Sequence, residues 1–208
     1  MSSNEQLVTE FSERATKVGA TVSEVKSLSE AFAYTMDLCS KKDACQLLLS
    51  GCGEALSDGA QAACDAKQDK VISAPALDED AFAELAGLCE EGGFTLIKEG
   101  MRDHLAGIDI GVTVADYGVA DSGTLVQQSS SEEVRLTTMI AENHVAILPK
   151  SRLRASTYEV EKDFVSMVDD SPSYMAFITG PSRTADIERV LAMGVHGPLE
   201  LHILLLED

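Results

Sequence analysis

The feature that most constrains this chain is an alternation of two patterns, sustained over most of its length. Short apolar runs at 45–49, 71–73, 94–97, 109–114, 123–127, 144–148, 175–179 and 199–206 have the length and composition of buried strands. Between them lie segments that read as helices, at 23–41, 55–64, 78–90, 135–142, 156–167 and 183–193. The connections are short and marked by Gly51, Gly53, Pro75, Gly92, Gly93, Pro149, Gly180 and Pro181. Strands that are apolar throughout must be covered on both sides. A helix between successive strands lets them run in the same direction, so the pattern predicts an α/β fold with a mainly parallel sheet and helices on both faces. In such sheets ligands collect where loops leave the carboxyl ends of the strands.

A chain of 208 residues suffices for one sizeable core. Residues 1–22 read as an N-terminal helical arm, polar and mobile, and 23–208 as a single α/β domain. In the first strong helix Val25, Leu28, Phe32, Met36 and Cys39 share a face, with Ser23 as its expected cap, although Lys26 stands where a capping box has Glu or Gln. Asp78, Glu79 and Asp80 open a later helix, where acids oppose the positive end of the dipole.

Net charge is −19, which excludes recognition of nucleic acid or an anionic membrane through the overall field. No apolar run reaches the ~18 residues of a membrane span. The opening Met1-Ser2-Ser3-Asn4-Glu5 lacks the basic-then-apolar order of a signal peptide, so the expected compartment is the cytoplasm. Five cysteines, Cys39, Cys45, Cys52, Cys64 and Cys89, fall in the first half without CxxC spacing or a neighbouring His. Reduced thiols fit this better than a zinc site or an iron–sulfur cluster, and no metal site is expected.

Chemistry concentrates in the second half. All four histidines and six of the seven arginines follow residue 98. Three loops leaving expected strands stand out. Residues 115–124 carry Asp116, Tyr117, Asp121, Ser122, Gly123 and Thr124, which suit either a tight turn or a polar site. Residues 179–186 place Gly180, Pro181, Ser182 and Arg183 at an expected helix start, either a cap alone or a cap with an anion site. Residues 193–198 hold His196 between glycines and a proline, as a structural histidine or an acid–base group. Lys150 and Arg152, just after the 144–148 strand, add positive charge at a carboxyl end; converged with Arg183 they would receive a carboxylate or phosphate, and apart they would pair with the many acids.

The runs Ile110-Gly111-Val112-Thr113-Val114-Ala115-Asp116, Asp121-Ser122-Gly123-Thr124-Leu125-Val126, His144-Val145-Ala146-Ile147-Leu148-Pro149 and Ile178-Thr179-Gly180-Pro181-Ser182-Arg183-Thr184-Ala185-Asp186 resemble, in order, the signature of the LUD (lactate-utilisation) domain family. The ending Gly194-Val195-His196-Gly197-Pro198-Leu199-Glu200-Leu201-His202 is similar to the protein C group within it. The resemblance spans about 90–208. It departs from the commonest form at Asp121-Ser122, where many members have Glu-Thr, and at Tyr117, often a small residue.

The resemblance implies a fold like ribose-5-phosphate isomerase and the CoA transferases. It also implies a role as the cluster-free subunit of a complex oxidising L-lactate to pyruvate. Expected partners are a small carboxylate such as lactate or pyruvate and iron–sulfur subunits, with clusters only in those subunits and no cofactor in this chain. The candidate binding residues are Ser122, Gly123, Thr124, Gly180, Ser182, Arg183, Lys150 and Arg152, with Asp121 and His196 as acid–base candidates. The competing reading is a stand-alone enzyme on that scaffold, acting on a phosphorylated or CoA-linked small molecule. Whether the chain is itself an enzyme stays open at this level.

Overall fold

The computed structural model describes residues 3–42, 58–59, 62, 67, 69–104, 107–161, 174–184, 192–193 and 197–208. The expected strand at 45–49, most of the helix at 55–64, the part of 156–167 after residue 161, and His196 lie outside these residues.

Among the described residues, six strands form one wholly parallel sheet. They are β1 (Thr21–Val25), β2 (Val71–Ser73), β3 (Thr95–Ile97), β4 (Ile108–Val114), β7 (Ala141–Pro149) and β12 (Glu200–Leu206), in the order β1-β12-β7-β4-β2-β3. The expected architecture is therefore present. Parity along each strand divides the core. Ile110, Val112, Val145, Ile147 and Leu204 face one layer, where they meet Phe32 and Cys39 of helix α2 (Leu28–Lys41) and Leu85 and Cys89 of α3 (Glu79–Gly92). Ala146, Leu148, Leu201, Ile203 and Leu205 face the other, against Phe11 and Ala15 of α1 (Ser3–Lys17).

That second layer is not helical alone. A four-stranded sheet, β8 (Leu153–Arg154), β5 (Tyr117–Val119), β6 (Thr124–Gln128) and β9 (Met175–Ile178), packs there with α1, and α4 (Glu132–Ile140) lies against β4 and β7. The runs at 123–127 and 175–179 are strands as expected, but they pair antiparallel to each other and outside the parallel sheet. At Gly118 a Cβ would press on Leu148, Leu153 and Phe11, so only glycine lets the small sheet approach this closely.

Four expectations change. The polar arm is docked: Phe11 and Ala15 are fully buried, and β1 begins at Thr21 inside the segment assigned to the arm. The helix expected over 23–41 gives its start to β1 and begins at Leu28. Its cap is Ser27, whose hydroxyl accepts from the Glu30 N–H at 3.2 Å, while the Glu30 carboxylate accepts from the Lys26 N–H at 2.7 Å. The strand expected from His144 begins at Ala141, and takes Ala141 and Glu142 from the helix expected before it. Finally, Arg183–Thr184 and Ala192–Met193, the ends of the expected helix at 183–193, are extended strands β10 and β11 paired antiparallel.

Candidate functional site

The two rims of the parallel sheet carry different chemistry. At the carboxyl rim β4 ends at Val114, and Ala115 donates to Ile147 O at 2.9 Å, holding Asp116 at the mouth between β4 and β7. Asp116 Oδ2 accepts from the Gln128 backbone N–H at 2.5 Å and from Gln127 Nε2 at 3.4 Å. Burial raises the Asp116 pKa above the usual carboxylate value, opposed by the Gln128 amide and by the charge of Arg152. Arg152 comes from the turn after β7 and donates one Nη1 bond to Ala115 O at 3.1 Å. Asp116 and Arg152 sit together on the boundary of two cavities. One, of about 450 Å³, is walled by apolar side chains with Gln127 and Gln128. The other, of about 350 Å³, adds Tyr117, Ser151 and Arg154, with the Arg154 guanidinium 4.8 Å from the Tyr117 ring centroid. A guanidinium fork, a second arginine and a desolvated carboxyl beside an apolar chamber suit an organic acid whose other end carries a proton to exchange.

At the amino rim the charges are closed on one another. Lys42 Nζ lies 2.7 Å from Asp109 Oδ1 and 2.6 Å from Glu142 Oε2, and Lys67 Nζ lies 2.7 Å from Asp109 Oδ2. The Val71 N–H also donates to Asp109 Oδ2 at 2.7 Å. All four side chains are buried. Burial works against the ionised Asp109, but its bonds from Lys42, Lys67 and Val71 outweigh it and hold the pKa below the usual value. The bonds of Lys42 to Asp109 and Glu142, again against burial, raise the Lys42 pKa. Lys70 donates to the carbonyls of Cys39 at 2.7 Å and Ser40 at 3.2 Å, a cation at the negative end of α2.

Two histidines sit between the rims. His144 is buried, with Nε2 2.8 Å from Thr113 Oγ1 and Nδ1 without a described partner; burial and then the nearby His202 push its pKa down to about 4. His202 bridges Tyr34 Oη through Nδ1 and Glu200 through Nε2, each at 2.8 Å. The carboxylate and phenol on either side fix its ring orientation.

The residues singled out from sequence do not converge on one point. Arg152 is at the carboxyl-rim cavities. Lys150 is at the same rim but is paired with Glu24 at 2.6 Å and Glu207 at 3.4 Å. Asp121 and Ser122 are exposed in the tight β5–β6 turn, and Gly123, at φ 66°, presses against the backbone of Arg14 and Ala15. Thr124 Oγ1 meets Thr179 Oγ1 at 2.8 Å, and Gly180, at φ 75°, lies against the Val18 carbonyl. The Ser182 N–H donates to Pro198 O at 3.0 Å, and Arg183 is exposed beside Gly19. These turns gather around the end of α1, and none of them lines the two carboxyl-rim cavities. With Arg183 and Thr184 extended, the free N–H groups of a helix start are not available to an anion there.

Sequence reasoning passed over Asp109, Glu142, Lys42 and Lys67, which are separated along the chain and carry no spacing signal. It included Asp116 without preferring it. The signal that singles Asp116 out is its position two residues beyond the central strand β4, facing the polar pair Gln127-Gln128 at the end of β6.

A six-stranded parallel sheet flanked by helices places the chain among α/β proteins, in which cavities form where loops leave the carboxyl ends of the strands. The chain belongs to the LUD domain family, whose model matches residues 8–206, well beyond the 90–208 suggested by the motifs. It is similar to a protein named lactate utilization protein C from an Exiguobacterium species, 36% identical over 113 residues, which are 53% of this chain and 49% of the relative. A protein of the same name from Halalkalibacterium halodurans is 39% identical over 103 residues, 48% of this chain and 45% of the relative. That from Bacillus subtilis is 35% identical over 104 residues, 48% and 43% respectively. The chain spans about half the length of the curated relatives it matches. A crystal structure of a DUF162 family protein from Deinococcus radiodurans superposes with a TM-score of 0.63 over 98% of both chains at 15% identity, which establishes the shared fold. No described helix is long and apolar enough to cross a membrane.

Proposed function

We propose that this chain serves lactate utilisation as the cluster-free member of an assembly that oxidises L-lactate to pyruvate in the cytoplasm, receiving the small carboxylate at the carboxyl rim. The observation that carries this reading is the Arg152–Asp116 pair. Arg152 has one described hydrogen bond, to Ala115 O, and its fork borders both cavities beside a desolvated carboxyl. Arg152 binds the acid's carboxylate, and Asp116 receives a hydrogen bond from its 2-hydroxyl; the oxidation itself falls to the partner subunits. The Gln128 N–H and Gln127 amide fix the Asp116 carboxyl in place. The names of the relatives support the pathway.

Iron–sulfur chemistry belongs to partner subunits in this reading. The two described cysteines, Cys39 and Cys89, are free thiols in the apolar core, and burial pushes both pKa values up to about 11, which does not suit cluster ligands.

Calorimetric titration of the isolated chain with L-lactate and with pyruvate is expected to show binding that Arg152→Ala weakens by at least about tenfold. Absence of binding, or equal binding by the variant, overturns the site. Lactate-dependent dye reduction is expected only when the partner subunits are added, and turnover by the chain alone overturns the subunit role.

A further inference from the structure

The larger carboxyl-rim cavity is too big for the acid that the relatives' names suggest. Lactate has six heavy atoms, roughly the space of three or four waters at about 30 Å³ each, on the order of 100 Å³. The chamber measures about 450 Å³, within the range of pockets that enclose drug-sized ligands. Val114, Ile147 and Leu206, at the ends of β4, β7 and β12, make its floor, and Leu28, Leu77 and Val134 make its walls. Val134 is buried and Leu28 and Leu206 are half-buried, so this apolar surface is already sheltered. The polar groups Asp116, Gln127, Gln128 and Arg152 border the same chamber, and Asp78, whose carboxylate accepts from the Ala81 N–H at 2.8 Å, stands at its exposed edge. Arg154 and Ser151 lie beyond them in the adjoining cavity. The layout is that of an amphipathic acid, with its charged head at the two arginines and an apolar tail over the strand ends.

Resting on the reading of this rim as the acid site, we infer that its preferred ligands are 2-hydroxy and 2-oxo acids with branched or aromatic side chains larger than the methyl of lactate. The carboxylate binds the Arg152 fork, the 2-oxygen meets Asp116, and the side chain fills the chamber between Leu28, Leu77 and Val134. Each further methylene buried there tightens binding by about fourfold, until the chamber is full. A three-carbon acid leaves most of this surface uncovered and gains nothing from it.

The test is a calorimetric series on the intact chain with L-lactate, L-2-hydroxy-4-methylpentanoate and L-3-phenyllactate. Affinity is expected to rise along the series, with phenyllactate binding at least about 30-fold tighter than lactate. Two variants that narrow the chamber from different elements, Val134→Phe and Leu28→Phe, are expected to collapse the ratio of phenyllactate to lactate affinity. Unfolding midpoints of both variants identify any that fails to fold, and either one suffices. Lactate binding with no gain along the series overturns this inference and leaves the proposed function standing. A gain that neither folded variant reduces also overturns it, since the tail then lies elsewhere. Failure of every acid to bind overturns both readings.

Discussion

The two rims of one parallel sheet use similar side chains to opposite ends. At the amino rim, Lys42 and Lys67 face Asp109 and Glu142 at 2.6–2.7 Å in a buried cluster. At the carboxyl rim, Arg152 and Asp116 lie side by side without closing an ion pair, with cavities on both sides. Opposite charges in contact satisfy each other and fix backbone positions. Charges that are near but not joined keep their hydrogen-bonding capacity for something else. The strand ends differ to match: the amino rim is filled by side chains from distant segments, whereas the carboxyl rim is roofed by loops that stand apart.

This contrast can be broken at several points. The largest effect is expected from Lys42→Met, which leaves Asp109 and Glu142 buried with one cation fewer and lowers unfolding free energy by about 3–5 kcal/mol. A cost below about 1 kcal/mol in urea denaturation would show that the amino rim is not structural. Next, Gly123→Ala puts a Cβ into the backbone of α1 at a φ of 66°, and is expected to cost about 3 kcal/mol. If the turn instead tolerates alanine while acid binding falls, the turn belongs to the site and the contrast needs a third region.

The pH response follows from His144. Its folded pKa, about 4, lies below the usual imidazole value of 6.5, so the unfolded chain takes up a proton first as pH falls. The sign is destabilising: stability is complete above pH 6.5 and is lost between 6.5 and 4, by roughly 2–3 kcal/mol between pH 7 and 4.5. Asp109, whose folded pKa is depressed, adds its own loss only below about pH 3.8. Urea midpoints of the wild type and His144→Gln at the two pH values should differ in slope, and parallel behaviour would remove His144 from the account. The smallest stability effect is expected at the open rim. Arg152→Ala should shift unfolding free energy by less than about 0.5 kcal/mol while weakening acid binding, a separation no residue of the amino-rim cluster can show.

Much of the sheet was legible because its strands are apolar throughout. The stretches 71–73, 109–114 and 199–206 could not be stable exposed, and helical segments between them left parallel pairing as the consistent arrangement. What escaped was decided by contacts remote in sequence. Glu142 reads as the last residue of a helix, yet it is buried in a strand through its ion pair with Lys42, a residue 100 positions earlier. Ser23 looked like a helix cap, but β1 found β12 as a neighbour and moved the cap to Ser27. The expected helix start at Ser182 lost to pairing of 183–184 with 192–193. The rule of carboxyl ends led to the rim where Arg152 borders the cavities of the proposed site. Asp121 came forward from the order of the motifs along the chain, which says nothing of what a carboxylate faces; Asp121 is exposed in the β5–β6 turn, whereas Asp116 borders the cavities.

One pairing in the sheet bears on how the chain is made. Among the described strands β1 neighbours only β12, with Thr21 opposite His202. Roughly 180 residues separate them, and at about 5–20 residues per second a ribosome takes on the order of ten to forty seconds to cover that distance. Throughout that time β1 lacks its neighbour β12, and the turns at Gly123 and Gly180 that close on α1 follow only about 100 and 160 residues after Thr21. The amino-terminal segment is therefore a waiting client during synthesis, and the native fold is sealed only after the last strand leaves the exit tunnel.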